Sequence, residues 1–413
     1  MGKEIRIENY FDNAAGEPLR AIAMNAMMHC MEKYNRGEYA NPSNIMSQSG
    51  DRAASALNQA RQTISNILGD RNKEHPIGHV YFTSGGTEAN NMAIYSAMLT
   101  EIQKGTKRPN ILVSAIEHKS VLNAGRKWAD ELGGWFSTIR CPDGFVDMEE
   151  FKELVAADTA LVAIMHTNNE LGTIQPIKEI SELCYRWKVP LLVDCTQAMG
   201  HTPIDVKELP GVSYITASAH KFGGPAGTGF LWARNEVLYP DVRVKNLLCG
   251  GGQENQSRPG TENLIGIVGM EAALVSAVNE RSWFMLSSNY VQQHFENRLL
   301  AEVPDCIING INGQRSPAHV SVSFKGIDGA ALALRLSLDG FTVSTGSACN
   351  SSEKLASYVL REVGVPYEYA HGTIRVTFNG NHYKSMGAVD ALIDSIVKNV
   401  KKLRSYERKK KKQ

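Results

Sequence analysis

No stretch of this 413-residue chain approaches the ~20 consecutive apolar residues that a membrane-spanning helix needs, so no spanning segment is expected. A surplus of charge is missing too. The 44 Lys and Arg offset 43 Asp and Glu, leaving a formal +1 and no overall attraction to nucleic acid or to an anionic membrane. Paired or clustered cysteines are also absent. Cys30, Cys141, Cys184, Cys195, Cys249, Cys306 and Cys349 make an odd, scattered set of seven with no two at metal-ligand spacing. That excludes a disulfide framework and a zinc or iron–sulfur centre, and it points to reduced thiols, most of them acting as small core residues. The opening Met1-Gly2-Lys3-Glu4-Ile5-Arg6 has no signal-peptide apolar core, and Arg6 stands where a myristoylation motif wants Ser or Thr. A cytoplasmic location is the expectation. There is no internal repeat. What remains is ordinary globular composition, 43% hydrophobic and 21% charged, in a chain long enough for two domains.

Short apolar, β-branched runs at 80–83, 111–114, 135–139, 161–165, 191–194, 214–216 and 229–232 read as strands. Amphipathic stretches such as 88–101, 120–132 and 177–187 lie between them. This alternation predicts an α/β domain with a mostly parallel seven-stranded sheet, whose ligands bind beyond the carboxyl ends of the strands. Loop-like composition at 248–256 precedes a helical pattern over 265–282, which should bridge to a smaller α+β unit. That unit has strand candidates at 320–324, 342–344 and 374–378 and helical patterns at 330–338 and 386–403. The expected organisation is an N-terminal segment, 1–16, a large domain, 17–264, a small domain, 265–403, joined by the N-terminal segment, and a basic tail, 404–413. The tail reads either as a solvated, disordered end or as a contact for an acidic or nucleic-acid partner.

Chemistry concentrates at the predicted strand ends. Lys221, in Ser218-Ala219-His220-Lys221, lies 27 positions after Asp194, which ends the run Leu191-Leu192-Val193-Asp194. A lysine able to form a Schiff base and a strand-end carboxylate able to pair with a pyridine nitrogen are the groups pyridoxal phosphate most needs from a protein. Ser84-Gly85-Gly86-Thr87 follows a strand and opens a helix, so its N–H groups and the Thr87 hydroxyl make either a phosphate seat or simply a tight turn. Ser218 and His220 can donate to the same phosphate. His118, in Glu117-His118-Lys119, could stack on a cofactor ring and shuttle protons. Asn169, in Asn168-Asn169-Glu170, and Gln197 could hydrogen-bond a ring oxygen or form turns. Arg375, inside Thr373-Ile374-Arg375-Val376-Thr377, needs a partner: a substrate carboxylate or a surface ion pair. Cys349 sits in Ser344-Thr345-Gly346-Ser347-Ala348-Cys349-Asn350-Ser351-Ser352, a small, polar setting that suits an accessible thiol nucleophile better than a core residue.

Thr83 to Asn91, Glu117-His118-Lys119, Asn168 to Gly172, Val193 to Gln197, Ser218 to Lys221, Arg258-Pro259-Gly260-Thr261-Glu262-Asn263 and Ser344 to Cys349 stand in the order found in cysteine desulfurases. The chain resembles that family from Tyr10-Phe11-Asp12-Asn13-Ala14-Ala15 to about Leu403, and its thiol segment resembles the longer-loop group that donates sulfur directly to partners. The resemblance implies a pyridoxal phosphate enzyme of the aspartate-aminotransferase fold (fold type I) that converts L-cysteine to L-alanine. It also implies roles. Lys221 carries the cofactor and acts as base, Asp194 pairs with the ring nitrogen, Gln197 and Asn169 contact the ring hydroxyl, and His118 stacks and assists proton transfer. Gly86, Thr87, Ser218 and His220 bind the phosphate, joined by Thr261 of a second copy in a homodimer. Asn41 and Arg375 hold the substrate carboxylate. Cys349 takes the sulfur as a persulfide for an acceptor protein, in iron–sulfur assembly, tRNA thiolation or DNA phosphorothioation. Asn44-Ile45-Met46 and Pro259 depart from the usual family pattern. Two other readings are a selenocysteine lyase or related lyase of the same fold, which would work without Cys349, and a non-enzymatic protein that docks through its basic tail.

Overall fold

The computed structural model describes residues 6–72, 74–235, 244–345 and 356–410. Ten strands are present among them: β1 Gly78–Thr83, β2 Asn110–Ser114, β3 Trp135–Ile139, β4 Thr159–Met165, β5 Leu191–Asp194, β6 Val212–Ser218, β7 Gly229–Arg234, β8 Cys306–Ile308, β9 His319–Phe324 and β10 Thr373–Thr377. The helices are α1 Ala21–Asn35, α2 Gln48–Ile67, α3 Gly86–Gln103, α4 Lys119–Glu131, α5 Met148–Leu154, α6 Ile177–Trp187, α7 Leu264–Glu302, α8 Gly329–Leu338, α9 Tyr358–Glu362, α10 Tyr367–Ala370, α11 Gly380–Lys384 and α12 Met386–Lys410. None of the described helices is long and apolar enough to cross a membrane.

Seven strands form one sheet in the order β1-β7-β6-β5-β4-β2-β3. β7 alone runs against its neighbours, pairing antiparallel with β1 and β6, while the other pairings are parallel. β2, β4, β5, β6 and β7 are buried along their whole length. Continuous apolar strands of this kind need helices on both faces, and the core divides accordingly. α3 and α4 pack on one side through Met92, Ala93, Val121 and Leu122. α2, α6 and the first half of α7 pack on the other through Leu57, Ile64, Ile180, Cys184, Ile267 and Met270. The apolar positions of α6 recur at Ile177, Ile180 and Cys184, the stripe of a half-buried helix. Each such aliphatic side chain contributes about 1.5–3 kcal/mol by leaving water.

Three strands form a second, antiparallel sheet, β10-β9-β8, over a core containing Phe295, Phe324, Phe378 and Ile393. Phe11 is buried in that core, although it lies at the opposite end of the sequence. Single bridges Tyr10↔Thr342 and Asp12↔Thr377 fix its segment beside the small sheet. α7 joins the two cores: Leu264 to Ala277 pack in the first and Val291 to Leu299 in the second.

The structure departs from the sequence pattern in several places, one being the tail, where α12 carries on from the expected 403 to Lys410. The helix expected over 265–282 continues to Glu302, because it packs Leu264 to Ala277 in the first core and Val291 to Leu299 in the second. Residues 342–344 form only isolated bridges, Tyr10↔Thr342 and Ser344↔Arg375, rather than a strand, because each contacts a different neighbour. β8 is three residues long, too short for a periodic signal, and follows Asp305 in left-handed backbone (φ 51°). α1 and α2 precede the alternation, and the sequence pattern did not register them.

Candidate active site

β7 being the exception, β1, β2, β4, β5 and β6 deliver their carboxyl ends to one edge, where an α/β sheet binds ligands. After β1 the chain turns through Gly85, whose φ of 153° and ψ of −178° suit glycine alone, and starts α3 at Gly86. The N-terminus of this 18-residue helix places Gly86 and Thr87 on a cavity of about 310 Å³. His118, Asn169, Asp194, Gln197, Ser218, His220, Lys221 and Arg375 line the same cavity. Asn41 and Thr261 do not: both are exposed, and the Asn41 side chain accepts a hydrogen bond from the Ser43 N–H at 2.9 Å. Cys349 lies outside the described residues.

Lys221 ends a single 3₁₀ turn, Ala219–Lys221, after β6, and its Nζ donates to the carbonyls of Ala14 (2.7 Å) and Ala15 (2.9 Å). Gln197 Nε2 donates to the same Ala14 carbonyl at 2.9 Å. Behind Lys221, His201 Nε2 lies 3.2 Å from both the Lys221 carbonyl and Glu17 Oε1. The N-terminal segment therefore aims the amine.

Asp194 is buried at the end of β5, and both its oxygens are engaged. Oδ1 accepts the Thr196 N–H at 2.9 Å, and Oδ2 accepts Asn90 Nδ2 at 2.9 Å. Asn90 also donates to Ser120 Oγ (2.9 Å) and accepts from Thr216 Oγ1 (2.7 Å). His118 caps α4, and its Nδ1 accepts the Ser120 N–H at 3.1 Å, which assigns the proton of the neutral ring to Nε2. Burial pushes the imidazole pKa below its ordinary value; Asp194 opposes that shift and Lys221 and Lys119 add to it. His220, 2.9 Å from Ser218 Oγ, is pushed down to about 4 by burial and by the neighbouring Lys221, so it too is neutral.

Arg375 is buried on β10. Nη2 contacts Asp12 Oδ1 at 2.5 Å, and Nη1 donates to the Asn169 carbonyl at 2.7 Å. Its Nε, and Oδ1 of Asn169, are buried without a hydrogen-bond partner among the described residues. In a native interior such polar groups are nearly always satisfied, so both are open to a bound molecule.

The sequence motifs that contain Asp12 and Asn90 give neither residue a role. Asn90 carried a usable signal, a polar residue on the apolar face of α3 among Ala89, Met92 and Ala93. Asp12 carried none, because its partner is 363 residues away.

Comparison with known proteins defines the class first: the Aminotransferase class-V family matches residues 9–392. Among curated relatives, the chain is 36% identical over 401 residues to the cysteine desulfurase IscS of Dictyoglomus turgidum, covering 96% of each chain. It is 37% identical over 413 residues to the IscS of Methanosarcina thermophila, covering 98% of this chain and 95% of the relative. A NifS-like protein from Rickettsia africae superposes with a TM-score of 0.80 at 27% identity, covering 95% of this chain and 99% of that one. The chain belongs to the cysteine desulfurases of the class-V aminotransferase family.

These enzymes depend on pyridoxal phosphate, and the residues present fit that group. The α3 N-terminus with Ser218 and neutral His220 suits an anionic phosphate, the buried Asp194 suits a ring nitrogen, and the unpaired Asn169 Oδ1 can accept from a ring hydroxyl. Lys221 Nζ reaches the same cavity.

Proposed function

We propose that this enzyme converts L-cysteine to L-alanine and passes the sulfur through Cys349 to an acceptor protein. The observation that carries the reading is the convergence of Lys221, Asp194 and Arg375 on one cavity. Bound there, pyridoxal phosphate supplies an electron-accepting ring. Lys221 holds the cofactor and moves the proton at the substrate Cα, with its Nζ aimed by the Ala14 and Ala15 carbonyls. Asp194 supplies the charge opposite the ring nitrogen. His118 presents its Nε2 proton from a neutral imidazole. Gly86, Thr87, Ser218 and His220 seat the phosphate, with Thr261 contributed by a second copy of the chain in a homodimer. Gln197 and Asn169 set the tilt of the ring, and Arg375 holds the substrate carboxylate.

The Cys349 thiolate attacks the substrate sulfur. A sulfur–sulfur bond forms as the Cβ–S bond breaks, the electron pair goes to carbon, and Cβ gains a proton to give the methyl group of alanine. A tethered thiol does this at high effective concentration. The acceptor serves iron–sulfur assembly, tRNA thiolation or DNA phosphorothioation in the cytoplasm. In the same reading the chain divides into a large cofactor domain, 17–264, and a smaller unit, 265–403, that includes segment 1–16; burial of Phe11 with Phe324 and Phe378 supports that grouping.

The test is turnover of L-cysteine with pyridoxal phosphate and a thiol reductant, following alanine and sulfide together, with Cys349→Ser beside the parent. Equal yields, both lost in the variant, are expected. Alanine persisting in the variant would replace this reading with a lyase that needs no protein thiol.

A further inference from the structure

The near-neutral net charge hides a segregation. Residues 398–413 hold nine of the 44 Lys and Arg and a single acidic residue, Glu407, so the preceding 397 residues carry 35 basic and 42 acidic side chains. An acidic body thus bears one strongly basic element. The backbone of α12 is helical to Lys410, so seven of those nine residues belong to one helix. Arg404 ties this helix to the body by donating to the carbonyls of Lys325 (3.0 Å), Pro304 (2.7 Å) and Asp305 (3.0 Å). Arg335 lies over the Tyr406 ring, 5.7 Å from its centroid. At 3.6 residues per turn, Lys398, Lys401, Lys402, Arg408 and Lys409 fall within one sector of about 120°. Lys398, Lys401 and Lys402 are exposed.

The apolar residues of this part of α12 are already engaged: Ile396 and Val400 are buried in the second core, and Val397 and Leu403 pack against it. Residues 407–413 contain no apolar side chain at all. A protein partner needs apolar or aromatic anchors at the centre of its interface, and stacking on unpaired bases needs aromatic platforms. A phosphate backbone needs only spaced cations. We propose that the basic face of α12 binds the phosphodiester backbone of a nucleic-acid duplex, without sequence preference. The proposal is independent of the chemistry at Lys221, because the face shares no residue with that cavity.

The test is fluorescence anisotropy of the cofactor-loaded full chain with labelled duplexes of about 20 base pairs, one DNA and one RNA, titrated from ~50 to ~300 mM KCl. Alongside it runs a variant carrying Lys401→Gln, Lys402→Gln, Arg408→Gln and Lys409→Gln. Binding by the parent should weaken steeply with salt. The variant should bind at least ~10-fold more weakly at ~100 mM salt, with a log–log salt slope shallower by about 3 to 4, since each phosphate contact contributes about 0.9. Its cysteine turnover should be unchanged. The two duplex arms decide between DNA and RNA. The proposal fails if the parent binds neither duplex at ~50 mM salt, where phosphate contacts are strongest, or if the variant binds as well as the parent. It fails equally if phosphatidylserine vesicles or polyglutamate are held more tightly than either duplex.

Discussion

The guanidinium of Arg375 is gripped by the carboxylate of Asp12, Nη2 to Oδ1 at 2.5 Å, across 363 residues of sequence. With Nη1 committed to the Asn169 carbonyl, the fork is held in one orientation and Nε is left for a ligand. Asp12 also offsets a charge that would be costly to bury alone.

If this pair orients the substrate carboxylate, its loss should appear mainly in KM. Arg375→Lys removes the planar fork, and a charge-assisted hydrogen bond is worth about 1.5–3 kcal/mol, so KM for L-cysteine should rise by roughly 10- to 100-fold. Asp12→Asn keeps the shape and loosens the grip, with a smaller rise expected. Steady-state kinetics over a range of cysteine concentrations reads both. A fall in kcat at constant KM would assign the pair to the chemical step instead.

Asn90 joins buried Asp194 and Thr216 and half-buried Ser120 into one satisfied network. Asn90→Ala strands those partners, at about 1–3 kcal/mol for a buried polar group left unpaired. We expect pyridoxal phosphate affinity to fall about tenfold or more, which corresponds to ~1.4 kcal/mol. The readout is equilibrium dialysis of the cofactor together with the pH titration of its visible absorbance. An unchanged titration would mean that Asn90 only supports the fold and does not orient Asp194.

Glu117 tests the electrostatics beneath the site. Its Oε1 accepts from Ser114 Oγ (2.5 Å) and from the Met165 N–H (2.6 Å), tying the end of β2 to the end of β4, while Oε2 is buried without a partner among the described residues. Burial raises its pKa from 4.5 to about 8, with the Asp194 charge adding to the rise. Between those values the folded protein keeps a proton that the unfolded chain has released, so this group's contribution is best below pH 4.5 and is lost as pH rises toward 8. Glu117→Gln should flatten that slope and gain relative to the parent between pH 5 and 8, by a few °C in Tm at ~2–4 °C per kcal/mol. Glu117→Leu removes the acceptor for both donors and should destabilise at every pH. Thermal melts of the three proteins at the two pH values decide it; parallel pH slopes in parent and Gln variant would show that Glu117 is ionised in the fold.

Much of the large sheet was legible because its strands are buried on both faces and read as unbroken apolar runs, as in Leu161 to Met165, all fully buried. The ligand edge was legible because each functional group sits within a few residues of a strand end: Asp194 on β5, Ser218 on β6, His118 four residues beyond β2. β8 and the bridges at Thr342 and Ser344 were not, since a three-residue strand or a single bridge has no period to detect. The reach of α7 to Glu302 was not legible either, because the polar run Asn279-Glu280-Arg281-Ser282 interrupts the apolar pattern between its two cores.

Order along the chain was enough to identify the chemistry. Lysine, aspartate, histidine and arginine stand in motifs whose residue types dictate what they can bind, and strand periodicity places most of them at one edge. Folding alone decided how those groups are held. The Ala14 and Ala15 carbonyls on Lys221, Asp12 on Arg375 and Asn90 on Asp194 are contacts between segments roughly 100 to 360 residues apart. No local pattern encodes such pairs, because what selects them is the cost of leaving a buried polar group unpaired, and that cost arises only once the chain has closed around it.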